Sequence, residues 1–164
     1  MALPNKVLPG FSAALYCQPT SSPTPLTTAQ LSLVASVSPI AVSGNLLPVE
    51  AIPAFGQDDA VASFSVAGSR QSDKIPVQAA PTSMTITAAW NPSDTNLLLM
   101  RADAYSGVID RTFVVSATDG TNIIYYAFNG RVGQFQIDAA PGAEAKCTFT
   151  VHPRGNQYGW SNNA

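Results

Sequence analysis

Met84-Thr85-Ile86-Thr87-Ala88-Ala89-Trp90-Asn91-Pro92-Ser93-Asp94 decides how this chain is read, together with the run from Leu97 to Gly107 that follows it. The first seven residues alternate apolar with small or polar side chains, the period-2 signature of a half-buried strand. Asn91-Pro92-Ser93-Asp94 supplies a helix start, with either Asn91 ahead of Pro92 at the first helical position or Ser93 as N-cap. Asp94 is then placed in the first turn, where its charge faces the positive end of the helix dipole. Residues 97–106 carry the helix, and Gly107 is its left-handed stop. Val108-Ile109-Asp110-Arg111-Thr112-Phe113-Val114-Val115-Ser116 resumes an extended, β-branched pattern. No other segment reads as a helix.

Outward from this unit the chain reads as short strands and turns. Residues 1–10 hold Pro4 and Pro9 and form an arm, and residues 11–17 form a first strand. Residues 18–25 are a proline-rich surface loop, and 31–38 alternate enough to predict a second strand. Residues 43–59 read as irregular, with Gly56-Gln57-Asp58-Asp59 a loop tip. Residues 60–67 alternate again, and 68–83 read as a second polar loop containing Arg70 and Lys74. Asp119-Gly120 is a hairpin signal before residues 123–128. Asn129-Gly130 is either a second turn or a bulge before residues 132–137. Residues 139–143 turn the chain into a last strand at 146–151, and 156–164 are a C-terminal tail anchored at most by Trp160. Residues 1–155 are thus expected to form one domain, a mainly β sandwich or barrel with one helix packed on it.

Composition narrows the function. In 164 residues only 11% are charged, against about 25% in an ordinary domain. Either other copies cover much of the surface, or Ser, Thr, Asn and Gln keep it soluble. The net charge is −2, and the eight basic residues are never adjacent, so binding nucleic acid by phosphate neutralisation is not expected. Residues 1–10 lack the pattern of a signal peptide, and no apolar run reaches a membrane span. Cys17 and Cys147 are accordingly expected to be buried reduced thiols.

No chemistry emerges. The single histidine, His152, lies beside Pro153 at a strand end, and two cysteines with one histidine make no zinc spacing. Asp58-Asp59 is an isolated acidic pair, and there is no phosphate loop or nucleophile elbow. Tyr125-Tyr126 with Phe128 could stack on a sugar, but strand neighbours face opposite sides, which favours one core and one surface residue. The expectation is no enzyme and no cofactor.

The second half of the chain resembles the major tail (tail tube) proteins of long-tailed, lambda-type bacteriophages. The resemblance rests on an order: Met84 to Trp90 with Asn91-Pro92, a helix, Asp119-Gly120, Phe128-Asn129-Gly130-Arg131-Val132, and Cys147-Thr148-Phe149-Thr150-Val151 before Gly155. It is strong over residues 81–155 and weak over 18–60. It implies a fold related to the tubes of contractile tails and type VI secretion, with homohexameric rings stacked into a conduit for DNA ejection. It further implies assembly in the bacterial cytoplasm into the virion tail, with tape measure, tail terminator and tail tip proteins as partners. DNA would pass through an acidic lumen without specific binding. The family's acidic loop is reduced here to Asp58-Asp59, so its contacts do not transfer residue by residue. The competing class is a carbohydrate- or host-binding β-sandwich module.

Site expectations follow from the helix and one strand. Wound at about 3.6 residues per turn, Leu98, Leu99, Ala102 and Tyr105 share one face, and Leu97, Met100 and Ala104 another. Arg101 and Asp103 fall in the gaps. The Leu98 face is expected on the chain's own sheet. Leu97, Met100 and Ala104 are expected at a subunit interface with Asp58, Asp59, Arg70 and Lys74; the alternative cover is the loop at 68–83. Gln134, Gln136 and Asp138 share the face opposite Phe135 and Ile137 and are the lumen-facing candidates.

Overall fold

Alternation sorts the strand side chains into two sets, and the register between strands lines those sets up into layers. The computed structural model describes residues 12–65, 72–118, 123–155 and 159–163. Its strands are β1 (Ser12–Cys17), β2 (Gln57–Ser65), β3 (Ser72–Pro81), β4 (Met84–Ala89), β5 (Asp110–Thr118), β6 (Ile123–Asp138), β7 (Lys146–Pro153) and β8 (Gly159–Asn163). A curled six-stranded antiparallel sheet runs β1-β5-β6-β7-β4, with β8 also on β6, while β2 and β3 form a separate two-stranded ribbon. The architecture is a mainly β half-barrel with few helices, the barrel form of the expected class, since one sheet curls instead of two facing each other.

Among the described residues three α-helices accompany the strands: α1 (Thr28–Leu31), α2 (Val34–Val37) and α3 (Thr95–Ser106). Only α3 exceeds a single turn of consequence. It lies on the concave side, where Leu97 and Met100 meet Ile86, Phe113, Phe128, Phe149 and Val151, all fully buried. Cross-strand pairs build this layer: Phe113 faces Phe128 with ring centroids 5.7 Å apart, Ile86 faces Phe149, and Val132 faces Val151. Each such side chain contributes roughly 1.5–3 kcal/mol on burial. On the other face of β5 and β6, Val114 and Ala127 are covered by Leu31, Val37 and Ile40. With both faces covered, β5 reads as the continuous apolar run 113–115.

The free edges of the curled sheet are bridged by one segment. Leu47 N donates to Leu15 O of β1, and Glu50 N donates to Thr87 O of β4. Leu46 and Val49 form bridges to Tyr16 and Ala88. Edge groups that would otherwise invite another strand are thereby satisfied at Leu15 and at Thr87.

Helix α3 is pinned by charge as well as packing. Asp103, 1% exposed, receives Nε of fully buried Arg111 at 2.7 Å and its NH2 at 3.1 Å. Arg111 NH1 donates to the carbonyls of Gln18 and Thr20, so one guanidinium joins helix, β5 and the loop after β1. Beside it, the Thr112 hydroxyl donates to Asn129 Oδ1 at 2.7 Å and accepts from Leu26 N at 3.0 Å.

Several expectations are corrected. The N-cap is Asp94, whose Oδ1 accepts from Asn96 N and Leu97 N; Asn91 instead closes an Asx turn onto Ser93 N, consuming the residues before the helix. Gly107 does end α3, at φ 66°. The strand expected at 31–38 is instead the end of α1, which a reciprocal Thr27–Gln30 capping box starts, and α2, which has no side-chain cap. The loop tip at 56–59 begins β2, and much of the loop at 68–83 is β3, whose polar residues and Pro76 hide an extended ribbon. Asn129-Gly130 is neither turn nor bulge: β6 runs through it. Gly130 is required there because a Cβ would sit 2.8 Å from Val151 Cγ1. The bulge lies at Gly133–Gln136, with Gln134 at φ 54°. Residues 159–163 of the expected tail are β8, paired with β6 through backbone groups that need no apolar pattern. The arm at 1–10 and the Asp119-Gly120 turn lie outside the described residues.

Arg111→Met leaves the Asp103 carboxylate buried without its partner and should lower stability by about 3–5 kcal/mol in urea unfolding. Adding Asp103→Leu should recover most of that loss; equal instability of the double variant would show that packing around Arg111, not charge pairing, dominates.

Candidate assembly surfaces

The residues capable of chemistry are spent on structure. His152 Nδ1 lies 3.0 Å from Ser83 Oγ, at the exposed end of β7. Cys17 and Cys147 are free, buried thiols; burial pushes Cys17 up to about 12 and raises Cys147 as well. Burial thus disfavours the thiolate at both. Among the described residues no group of three His, Cys, Asp or Glu side chains could hold a metal. Tyr126 and Phe128 are buried in the concave core and Tyr125 packs with the second cluster, so they make no exposed stacking platform.

The helix turns a different face inward from the one expected, although Leu99, expected there with Leu98, does pack against the core. Leu97 and Met100 are fully buried in the chain's own core, and Ala104 packs against it. They have no surface to offer another subunit. Leu98 is 39% and Tyr105 75% exposed, and Ala102 is exposed beside them. The physical reason is Arg111: satisfying its guanidinium turns Asp103 inward, and Met100, three residues earlier on the same side, goes with it. The apolar stripe alone could not reveal this, because α3 is apolar nearly all round.

The remaining interface candidates fall on the ribbon. The backbones of Asp58 and Asp59 pair with Ala80 and Ala79, and that of Lys74 with Ser63. Arg70 lies outside the described residues. The ribbon is held at its base by Thr82 N donating to Gly56 O at 3.2 Å, and among the described residues β2 and β3 pair as a sheet of their own. Val61, on β2, is 53% exposed.

Gln134, Gln136 and Asp138 come together on the convex side of the sheet, away from the core. Gln136 is registered against Thr148, and Thr148 against Thr87. At the bulge, Gln134 Oε1 is 3.4 Å from the Thr150 hydroxyl, which is itself 3.4 Å from Thr85 Oγ1. Phe135 packs on Trp90 and Phe149, whereas Ile137, at the sheet's end, is 42% exposed. This region is therefore a hydroxyl- and amide-rich sheet face with one carboxylate at its margin.

No protein-family model and no curated protein sequence matches this chain. Solved structures do. A chain of the anti-feeding prophage (AFP) baseplate, determined by cryo-EM and six-fold symmetrised, is similar at TM-score 0.58 and 11% identity over 100% of this chain and 98% of that one. A chain of the tail of an empty GTA particle, in C6 symmetry, is similar at TM-score 0.51 and 12% identity over 74% and 89%. A chain of the SPP1 tail tube is similar at TM-score 0.55 and 11% identity over 93% and 76%. The chain thus has the fold found in phage-type tail tubes and baseplates. At these identities the likeness is one of fold.

The inner face of α3 has a direct check by circular dichroism. Met100→Asp places a carboxylate in the core and should abolish folding, whereas Leu98→Asp should keep the native spectrum. A folded Met100→Asp chain would contradict this helix orientation.

Proposed function

We propose that this chain is a non-enzymatic structural protein of a virion tail, forming stacked hexameric rings that make the tube through which DNA is ejected. The observation that carries the reading is the β2–β3 ribbon. Two paired strands without a third element are at best marginally stable in water. Such a ribbon gains a packing partner when a neighbouring copy supplies one.

Other features agree. The fold is that of chains built into the AFP baseplate, the GTA tail and the SPP1 tail tube, the first two of six-fold symmetry. A surface with few charges suits a subunit covered by copies of itself, and a net charge of −2 without a basic cluster suits a conduit that does not retain DNA. Gln134, Gln136 and Asp138, with the threonines beside them, are our candidates for the channel wall. Tape measure, terminator and tip proteins would meet the ends of such a tube, assembled in the host cytoplasm.

Replacing residues 58–80 with a short Gly/Ser linker between the bonded ends at Gly56 and Thr82 removes only the ribbon. The trimmed chain should keep its circular dichroism spectrum but sediment as a monomer where the full chain forms rings or tubes. Assembly of the trimmed chain like the full one would overturn the ribbon's role.

A further inference from the structure

The β6/β7 ladder carries opposite charge at its two ends. At one end Arg131 is registered against His152, and at the other Asp138 against Lys146, roughly 20 Å away at ~3.3 Å per residue. Around the first end, Arg131 bonds Asp110 at 2.9 Å and Arg154, 53% exposed, approaches the same carboxylate at 3.9 Å. Two guanidiniums thus share one carboxylate. Around the second, Lys146 pairs with Glu50, and Asp138 and Glu144 also act on it. Lys146 is thus paired with Glu50 and lies among two further carboxylates, Asp138 across the ladder and Glu144 two residues before it.

Each end also has a shape. Beside the two arginines an open groove is lined by Ser22, Pro23, Pro25, Val108, Ile109 and the Asp110 carboxylate that both arginines approach. Arg131 donates to the carbonyls of Gly107 and Val108 at 3.0 and 3.1 Å, which holds Val108 in place although it is 72% exposed. At the acidic end the chain projects a tight turn. Ala143 N donates to Ala140 O at 3.1 Å, and Gly142 has φ 80°, as a type II turn with Pro141 ahead of it requires. Its residues, small and apolar between Asp138 and Glu144, are all exposed.

We propose that the 139–145 turn of one copy docks in the Pro23–Val108 groove of the next, with Glu144 meeting Arg154. The occupant is a second copy of this chain, because the same molecule carries both the groove and a preformed turn of complementary charge. The contact is heterologous: its two patches lie at opposite ends of one ladder, so each copy added presents a fresh groove or turn. The inference rests on the self-assembly reading above and supplies it with a contact distinct from the ribbon.

The test uses two exposed side chains in the full-length protein, with circular dichroism to verify folding. Arg154→Glu and Glu144→Arg should each raise the concentration for half-association, measured by light scattering, by about tenfold, since like charges then face each other. The double variant Arg154→Glu/Glu144→Arg restores opposite charges and should return to within about threefold of the native value. High salt should narrow the gap between single variants and native protein. Folded single variants that assemble like the native chain, or a double variant no better than the singles, would overturn this contact alone. A native chain that stays monomeric at every concentration would contradict the contact and the self-assembly reading together.

Discussion

A guanidinium without access to water must find partners for its charge and its donors, and Arg111 finds them on three elements at once. Asp103 on α3 takes two of its bonds, and the carbonyls of Gln18 and Thr20 take others. Breaking such a pair exposes the full desolvation cost of the survivor, so the arrangement tolerates little rotation of the helix. That constraint places Leu97 and Met100 in the core and leaves Leu98 and Tyr105 outside. It also holds the start of the loop whose prolines line the groove beside Val108. Thr112 and Asn129 extend the same buried polar network to Leu26.

Around this anchor, β6 distributes the surfaces. Its first half pairs with β5 and β8 and its second half with β7, and the bulge at Gly133–Gln136 lets the strand curl between the two. Helices α1 and α2 cover the convex side near β5, while near β4 and β7 Thr85, Gln134 and Gln136 are exposed and Thr87 and Thr148 half-buried. Residues 46–50 cover part of each sheet margin, at Leu15 and Tyr16 on β1 and at Thr87 to Ala89 on β4.

What was legible in the sequence was local. Alternation at residues 84–89, the glycine stop at 107 and the strong strand residues around 113–115 each have a cause within a few neighbours, and each element stands where it was expected. The features that were missed have distant causes. Asp103 is buried by Arg111, eight positions on and across a strand, so the helix's apolar residues alone gave the wrong inner face. The ribbon was hidden because Pro76 and its polar neighbours carry loop signals, while its pairing is made by the backbone. Asn129-Gly130 carries a turn signature, but the glycine answers to the approach of Val151 from β7, twenty-one positions away in the chain. The resemblance to tail tube proteins rested on motif order, and the likeness to solved tail structures is one of fold, at 11–12% identity.

The most direct measurement is a cryo-EM reconstruction of particles assembled from the purified full-length chain. The account requires six copies in each ring, with β2 and β3 lying against a neighbouring copy. A folded chain found only as single copies, or an assembly in which the ribbon touches nothing, would contradict it.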